Sequence, residues 1–450
     1  MLLSSDLLER RAAFAAYALD RAGVHGGDRV AILGGPSAAT VAALVGAWRL
    51  GAVAVPLDAR EPASALAPKL AAVRPRLVLA NAPLPPGMLP PGATALPLPE
   101  VGEAPFLPDA MPDVAPALIV FTSGSTGPPK AAVLAHGALR TSARGVATRM
   151  GFGPASAWLL ALPLHHVGGV GVVVRALEAR AALVLPETND LAAMLGDPAV
   201  THASLVGTQL YRLLDAATRG EGVPGLETKA LLLGGSALAP SLLDAAHARG
   251  LRVATSYGLT EMASTVTATT PGASRDALAT SGSLLDGRDL RITPAGEIAV
   301  RGRTRFDGYV DGVYAGPHAL RTPFDEDGWF FTGDLGHLDD AGRLVVTGRR
   351  DLMFVSGGEN VHPEAIERAL LSLPGVVQAI VVPAYDVEFG RRAVAFVETS
   401  DGSDPSPLRD VLRERLPRHL VPKAVRPLPF ATGFKPSRAA LARHVENEPL

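Results

Sequence analysis

Hydrophobic and polar positions in the first part of the chain alternate between two periodicities. DLLERRAAFAAYALDRAG (residues 6–23) and AATVAALVGAWRLG (38–51) place their apolar residues at helical spacing. Between and after them lie the short apolar runs RVAIL (29–33), AVAVPL (52–57) and RLVLA (76–80). Short apolar strands separated by helices predict parallel βαβ units whose strands are buried on both faces.

The alternation resumes after a segment crowded with proline. Residues 81–115 are predicted to form a surface connection, because proline disfavours helix interiors and central strands. Further strands are predicted at ALIVF (117–121), THASLV (201–206), ALLLGG (230–235) and RVATSYG (252–258).

The pattern changes near residue 280 towards strands and turns, in GEIAVRG (296–302), GWFFTGD (328–334) and GRLVVTG (342–348). From about residue 351 the chain has its own helices and strands, enough for a small domain. The predicted fold class is therefore α/β. A large N-terminal domain (1–349) has mixed and parallel sheets layered with helices plus a strand-rich subdomain. A small α+β C-terminal domain (350–450) follows a short hinge near 349–351.

Composition and charge narrow the function. The 450 residues are 48% hydrophobic and contain no cysteine, which excludes thiolate metal sites and a cysteine nucleophile. The 42 basic and 44 acidic residues leave a net charge of −2, which predicts no nucleic-acid partner. The charged start and the short apolar run at 167–174 predict no secretory signal and no membrane insertion. We expect a cytoplasmic protein that acts on small molecules; a homo-oligomer is compatible with the sequence.

The stretch FTSGSTGPPK (121–130) follows a predicted buried strand and precedes a predicted helix at 136–150. Glycine amides, hydroxyl groups and a lysine after a strand are a common way to hold phosphate groups. A solvated linker has a similar composition. The stretch is not a Walker loop, because Pro129 precedes Lys130 and Ala131 follows it.

Taken with other blocks in the same order, TSGSTGPPK resembles the phosphate loop of the adenylate-forming superfamily, which includes acyl-CoA synthetases, luciferases and peptide-synthetase adenylation domains. The other blocks are SYGLTE (256–261), GEIAVRG, GY (308–309), GWFFTGD, TGRRDLMFVSGGENVHPEAIE (347–367) and a late Lys435. The resemblance implies a two-step ligase. A carboxylate and ATP give an acyl-adenylate and pyrophosphate, and the thiol of coenzyme A (CoA) then gives acyl-CoA and AMP.

The resemblance also assigns residues to the nucleotide. The β- and γ-phosphates would be held by Thr122, Ser123, Gly124, Ser125, Thr126, Gly127 and Lys130. Glu261 would bind Mg²⁺, since magnesium prefers one or two carboxylates plus phosphate oxygens. Thr260 would contact the α-phosphate. The adenine and ribose would meet Gly235, Ser256, Tyr257, Gly258, Asp334 and Arg349.

Each of these residues also has a structural interpretation. Glu261 can be an exposed helix start, Tyr257 a core aromatic and Asp334 a turn residue. Lys435 is implied to act in the first step, but Phe434 interrupts the usual Thr-Gly-Lys order, and Lys423 is a rival.

In such enzymes the small domain rotates between the two steps, which implies a hinge at Asp351 and a mobile C-terminal domain. Gly357 and Gly358 would then line the CoA channel; the alternative is a plain tight turn.

Within the superfamily, THASLVGTQLYRLL (201–214), residues 231–266 and DVEFGRRAVAFVE (386–398) look like o-succinylbenzoate–CoA ligases of menaquinone biosynthesis, although Gly207 stands where proline is expected. The implied acid site contains His166, Arg175, Gly234, Ser236 and Ser264. A buried cation suits the second carboxylate of that acid. Arg175 can instead pair with Glu178 or face solvent at a helix end, and His166 can be a core histidine. A ligase for another aryl or fatty acid, a non-catalytic nucleotide-binding relative and a nucleotide-hydrolysing regulator stay open as alternatives.

Overall fold

The computed structural model describes residues 1–99, 102, 112–122, 129–188, 190–235, 238–429 and 438–447. The strands in these ranges are β1 Leu2–Leu3, β2 Arg29–Leu33, β3 Val53–Leu57, β4 Leu77–Ala80, β5 Thr94–Leu96, β6 Pro116–Thr122, β7 Lys130–Ala135, β8 Ala157–Leu159, β9 Ala182–Val184, β10 His202–Leu205, β11 Ala230–Leu233, β12 Arg252–Leu259, β13 Ser264–Ala268, β14 Ser283–Leu284, β15 Arg288–Ile292, β16 Glu297–Gly302, β17 Gly308–Val310, β18 Leu320–Arg321, β19 Phe330–Leu338, β20 Leu344–Arg349, β21 Phe354–Ser356, β22 Glu359–Val361, β23 Val376–Asp386, β24 Gly390–Thr399 and β25 Ala424–Pro427. The α-helices are α1 Ser5–Arg21, α2 Ala38–Arg49, α3 Ala63–Val73, α4 His136–Met150, α5 Val167–Ala179, α6 Leu191–Gly196, α7 Gly207–Thr218, α8 Pro240–Ala248, α9 Arg275–Leu278, α10 Pro363–Leu371, α11 Leu408–Arg415 and α12 Arg438–Asn447.

Two eight-stranded sheets form the large part of the molecule. The first has the order β18-β17-β7-β6-β3-β2-β4-β5, and the second β1-β9-β8-β10-β11-β12-β13-β14. Their central strands pair in parallel. Antiparallel pairing is found at one end of the first sheet, from β6 to β18, and at both ends of the second, between β1 and β9 and from β12 to β14. The predicted α/β class with mixed and parallel sheets is confirmed.

Alternating side chains place the first sheet between two cores. In β2, Val30 and Ile32 enter a core that lies between the two large sheets and is filled by α1, α2, α4 and α5. Ala31 and Leu33 enter the core on the opposite face, under α3. Because both faces are buried, these strands are continuously apolar.

Local sequence signals fix the ends of several helices. The side chain of Ser4 accepts a hydrogen bond from the amide of Leu7 at the start of α1, and Ser37 accepts one from Thr40 at the start of α2. Gly151 ends α4 in the left-handed conformation that glycine adopts without strain. Within the described residues, none of the helices is both long enough and apolar enough to cross a bilayer.

One strand near the phosphate-loop sequence was missed. No strand was predicted between the stretch 121–130 and the helix at 136–150, but Lys130–Ala135 forms β7, which pairs antiparallel with β6. The strand KAAVLA is buried on both faces, with Ala132 and Leu134 in one core and Val133 in the other. Thr122 and Lys130, at the two ends of the predicted loop, are therefore register partners in antiparallel strands.

A four-stranded sheet, β15-β16-β19-β20, forms the predicted strand-rich part and ends at Arg349. Beyond it, the hairpin β21–β22 and the sheet β23-β24-β25 pack with α10, α11 and α12. The Nη1 atom of Arg350 lies 2.6 Å from Oε2 of buried Glu297, and Arg368 donates to the carbonyl of Thr347. The terminal segment thus packs against the four-stranded sheet; the boundary at 349–351 and the mobility of this segment stay predictions.

Candidate active site

A phenol–carboxylate pair joins two of the predicted nucleotide residues, 77 positions apart. The hydroxyl of Tyr257, at the end of β12, donates to Oδ2 of Asp334 at 2.5 Å. Burial raises the pKa of Tyr257 well above its usual value, and the neighbouring Asp334 adds to this rise. The phenol therefore stays protonated and remains a donor to the carboxylate.

Arg349 completes this group from the adjacent strand. Asp334 and Arg349 are register partners in β19 and β20, and Nη1 of Arg349 lies 3.1 Å from Oδ1 of Asp334. The same guanidinium donates from Nε and Nη2 to both carboxylate oxygens of Asp351, at 2.7 and 3.0 Å. This fork to Asp351 is the main reason that the pKa of Arg349 is raised. The predicted ribose residues and the predicted hinge residue are therefore in direct contact.

A second phenol–carboxylate pair lies close by. The hydroxyl of Tyr309 donates to Oε1 of Glu261 at 2.5 Å, and the amide of Phe306 donates to the Glu261 carbonyl at 2.9 Å. Burial raises the pKa of Tyr309, Glu261 adds to the rise, and Arg321 and Arg349 oppose it. Since Arg349 acts on both phenols, the two pairs occupy one electrostatic environment. Glu261 is half-buried and hydrogen-bonded, which contradicts the interpretation as an exposed helix start.

The side chain of Lys130 reaches the second pair. Its ammonium lies 5.5 Å from the centre of the Tyr309 ring, and the guanidinium of Arg321 lies 5.1 Å from the same centre. The register of β7, β17 and β18 explains this, because Tyr309 pairs with both Ala132 and Arg321. Two cations therefore flank one aromatic ring beside a carboxylate, an arrangement suited to phosphate oxygens.

The backbone between the two pairs is unusually tight. At Gly258 an added Cβ would lie 2.1 Å from the carbonyl oxygen of Ser264, and the strand register shifts between Tyr257 and Gly258. Ala263 and Ser264 adopt positive φ angles of 50° and 96°, which L-residues rarely do. Thr260 begins the short turn between these strands. This bulged connection carries Glu261 between β12 and β13.

Gly234 and Gly235 lie directly after β11. An added Cβ at Gly234 would come within 2.8 Å of Oγ of Ser256, and that hydroxyl donates to the carbonyl of Leu233 at 2.8 Å. Gly235 has φ of +88°. Gly234, predicted for the acid site, thus lies against Ser256, which was predicted for the nucleotide site.

Arg175 is buried in the core, with 2% of its surface exposed. Its guanidinium lies 4.2 Å from the ring centre of Trp158, its Nε has no hydrogen-bond partner, and burial lowers its pKa to about 9. The suggested pair with Glu178 is wrong, because Glu178 accepts from Arg140 and Arg144 instead. The suggested solvent-facing helix end is also wrong.

His166 and the glycine turn at 357–358 have defined environments. His166 is exposed at the start of α5, with its ring 4.5 Å from that of His165, so it is not a core histidine. Gly357 and Gly358 form the two-residue turn of the β21–β22 hairpin, with φ of 57° and 90°. An added Cβ at Gly357 would lie 2.7 Å from Phe389, so the turn needs glycine whether or not CoA passes it.

A family model described as AMP-binding enzyme matches residues 4–310, and one described as AMP-binding enzyme C-terminal domain matches residues 365–431. The chain belongs to the AMP-binding enzyme family. This confirms the resemblance that the sequence motifs indicated.

This AMP-binding enzyme is 42% identical over 331 residues to the 2-succinylbenzoate–CoA ligase of Salmonella typhimurium, an alignment covering 73% of this chain and 68% of the relative. It is 38% identical over 333 residues to the ligase of that name from Escherichia coli, covering 73% and 69%.

Solved structures of proteins with the same kind of name are also similar to this chain. An E. coli MenE variant with bound OSB-AMS superposes with a TM-score of 0.85 at 33% identity, covering 98% of this chain and 92% of that one. The Bacillus subtilis o-succinylbenzoate CoA synthetase with the acyl-adenylate intermediate OSB-AMP gives 0.83 at 26% identity, covering 99% and 92%.

Some predicted residues of this AMP-binding enzyme lie outside the described residues: Ser123, Gly124, Ser125, Thr126, Gly127, Ser236 and Lys435, together with Phe434. The rival lysine, Lys423, lies 3.0 Å from Asp386 in an ion pair of the terminal segment.

Two residues of the site were not given roles from the sequence. Tyr309 belongs to the recognised GY block, and Arg321 lies in a stretch without a motif. Tyr309 could have been noticed as an apolar-flanked aromatic in a family block. Arg321 had no sequence signal, because its position depends on the pairing of β18 with β17, where Arg321 is the register partner of Tyr309, 12 residues earlier.

Proposed function

We propose that this AMP-binding enzyme is an ATP-dependent 2-succinylbenzoate–CoA ligase, also called o-succinylbenzoate–CoA ligase. The observation that carries the proposal is the 42% identity, over nearly three quarters of the chain, with a ligase of that name. The reaction has two steps. The acid and ATP form an acyl-adenylate and pyrophosphate, and the thiol of CoA then displaces AMP to give the thioester.

The first step brings an anionic carboxylate to an anionic triphosphate, so the site must supply positive charge and donors. Lys130 and Arg321, around the Tyr309 ring, suit the outer phosphates. Asp334, fixed by Tyr257 and Arg349, offers acceptor oxygens to the ribose hydroxyls. Two assignments rest on the sequence motifs alone. Thr260 is assigned to contact the α-phosphate, and Thr122 together with residues 123–127 is assigned to the phosphate loop.

The donor set fits a magnesium ion held mainly by the nucleotide. Glu261 presents a half-buried carboxylate with Oε1 bonded to Tyr309, and Mg²⁺ is commonly bound by one or two carboxylates with phosphate oxygens and water. When bound, the ion would neutralise charge on the phosphates. Glu261 is the residue that we assign to hold it.

The acid site is assigned to the region of Arg175. Since 2-succinylbenzoate carries two carboxylates, one is activated and the other needs a partner. A buried guanidinium with an unpartnered Nε meets that need. Ser204, which lies on the same face of the sheet as Trp158, has a buried hydroxyl without a partner and adds a donor. Ser264, His166 and residues 234–236 are assigned to the activated end.

For the second step we assign the C-terminal segment a rotation about Asp351, which withdraws Lys435 and brings Gly357 and Gly358 to the CoA thiol. The direct bond between Arg349 and Asp351 supports a hinge that is coupled to the nucleotide residues. A lid motion of this type also keeps water from the acyl-adenylate.

Pyrophosphate release from a panel of acids tests the proposal. Purified protein with ATP, Mg²⁺ and CoA should release pyrophosphate with 2-succinylbenzoate and hardly with benzoate or palmitate. The nucleotide product should be AMP. Equal turnover of benzoate or palmitate would reject the substrate, and ADP as product would reject the reaction class.

Replacing the predicted lysine separates the two steps. Lys435→Ala should cripple adenylation but largely spare thioester formation from supplied acyl-adenylate. Lys423→Ala is the matched control, because that lysine pairs with Asp386. If Lys423→Ala rather than Lys435→Ala abolishes adenylation, the assignment of the lysine is wrong.

A further inference from the structure

Two residues, Tyr309 and Phe306, hold Glu261 in one orientation. The phenol of Tyr309, in a residue that is 5% exposed, donates to Oε1 of the carboxylate. The amide of Phe306, three residues earlier, donates to the carbonyl of the same glutamate. The backbone and the side chain of Glu261 are therefore both bonded to the segment that leads into β17.

A carboxylate has two oxygens, and the Tyr309 bond occupies one of them. Groups that hydrogen-bond a metal ligand fix its direction and increase metal affinity, and removing such a group commonly lowers affinity about 10–100-fold. We propose that Tyr309 is a positioning residue that orients Glu261 so that Oε2 is presented to the Mg²⁺ of the bound nucleotide. This inference rests on the proposed function, which assigns Glu261 to the metal.

The same ring places Lys130 relative to this carboxylate. The ammonium lies over the ring face while the hydroxyl at the ring edge bonds Glu261. The pairing of Tyr309 with Ala132 fixes the distance between β17 and the strand that begins at Lys130. One aromatic side chain therefore sets the separation between the assigned metal ligand and the assigned phosphate cation.

Phenylalanine at 309 separates the two roles, because it keeps the ring beneath Lys130 and removes only the hydroxyl. The test uses the full chain with α,β-methylene-ATP, which cannot transfer its AMP group to the acid, and measures Mn²⁺ binding by electron paramagnetic resonance. Tyr309→Phe should weaken Mn²⁺ binding by about tenfold. Thioester formation from supplied acyl-adenylate and CoA should be unchanged, since that step leaves the triphosphate behind.

Tyr314→Phe is the matched control. Tyr314 is also a buried tyrosine, 7% exposed, with an arginine, Arg29, 5.5 Å from its ring centre. The Tyr314→Phe variant should leave both Mn²⁺ binding and thioester formation unchanged. In a Glu261→Gln background, adding Tyr309→Phe should cause no further loss of Mn²⁺ affinity, because the hydroxyl acts through the carboxylate.

Unchanged Mn²⁺ affinity in Tyr309→Phe would overturn the inference. An equal loss of rate in the thioester half-reaction would also overturn it, because that result indicates a general structural role. A full additive loss of Mn²⁺ affinity in the Glu261→Gln background would overturn it as well. Failure of the proposed function is a separate result. In that case the unmodified protein makes no acyl-CoA from any acid, while the Mn²⁺ titration still decides the role of Tyr309.

Discussion

Arg175 is buried at a cost in stability that its proposed role in binding the acid would explain. Burying an unpaired cation costs several kcal/mol, whereas its contact with Trp158 returns only about 2 kcal/mol. The penalty therefore exceeds the gain in the ligand-free protein. A ligand carboxylate that pairs with the guanidinium would reverse this balance.

Arg175→Met should raise the KM for 2-succinylbenzoate by roughly 100-fold, since truncating one partner of a buried charged pair costs about 2–5 kcal/mol. The free energy of unfolding should be equal or higher by about 1 kcal/mol, because the buried charge is gone. Steady-state kinetics and chemical denaturation measure the two effects.

Arg144→Met is the control, since Arg144 is exposed on the neighbouring helix and pairs with Glu178. It should change neither quantity. A less stable Arg175→Met protein with unaltered KM would show that Arg175 is structural.

His136 should make stability depend on pH. It is buried at the start of α4, its Nε2 lacks a partner, and burial lowers its pKa from 6.5 to about 4. Between these values the unfolded chain binds a proton that the folded chain does not, so stability falls as pH falls from 6.5 to 4. The loss amounts to about 3 kcal/mol.

His136→Leu should remove this part of the acid sensitivity, as measured by urea unfolding at pH 7 and pH 4. His318→Gln, at an exposed histidine, should retain it. An identical pH dependence in His136→Leu and the unmodified protein would contradict the assignment.

At the scale of elements, the β12–β13 connection is the part least tolerant of change. A methyl group at Gly258 would lie 2.1 Å from the carbonyl oxygen of Ser264, so the two strands must separate. Gly258→Ala should lower the free energy of unfolding by about 3 kcal/mol and reduce pyrophosphate release at least about 100-fold, because Glu261 moves with the connection.

Gly153→Ala is the matched control, because an added Cβ there meets nothing within 4 Å. It should behave like the unmodified protein in thermal unfolding and in pyrophosphate release. Normal activity in Gly258→Ala would mean that this connection does not set the position of Glu261.

The order and type of most elements could be predicted from the sequence, because buried parallel strands are apolar throughout and their helices are amphipathic. Strand β7 was not predicted, because its first residue, Lys130, was interpreted as the end of a phosphate loop. The sequence KAAVLA is nevertheless an apolar run. The short strands β17 and β18 carry too few residues for a pattern. Their positions depend on pairing with β7.

The site was predictable only where motifs named it. Tyr257, Glu261, Asp334 and Arg349 lie in recognisable blocks, but their mutual bonds span up to 77 residues and leave no local signal. Whether Arg175 is buried or exposed depends on the packing of α5 against β8, which composition does not reveal.

At the scale of the whole molecule, the ion pair between Arg350 and Glu297 links the terminal segment to the four-stranded sheet. Arg350 is largely exposed, while its partner Glu297 has a side chain that is 5% exposed. Removing the arginine leaves a buried carboxylate with one partner fewer, and such a loss costs more than breaking a surface pair.

Arg350→Gln should therefore loosen the observed arrangement of the terminal segment. Because the chain has no cysteine, labels at introduced Glu221→Cys and Ser403→Cys are specific, and double electron–electron resonance should show a broader distance distribution. Arg301→Gln, which breaks the pair with Asp289 inside the four-stranded sheet, is the control. Equal distributions in both variants would exclude a restraining role for Arg350.

The chain contains only six tyrosines, and two of them bond the carboxylates assigned to opposite ends of the nucleotide. Fluorotyrosine incorporation would thus give a fluorine NMR spectrum of six resonances with two native reporters, one near the assigned ribose site and one near the assigned metal. Each stage of turnover could be followed in solution without attaching a foreign probe.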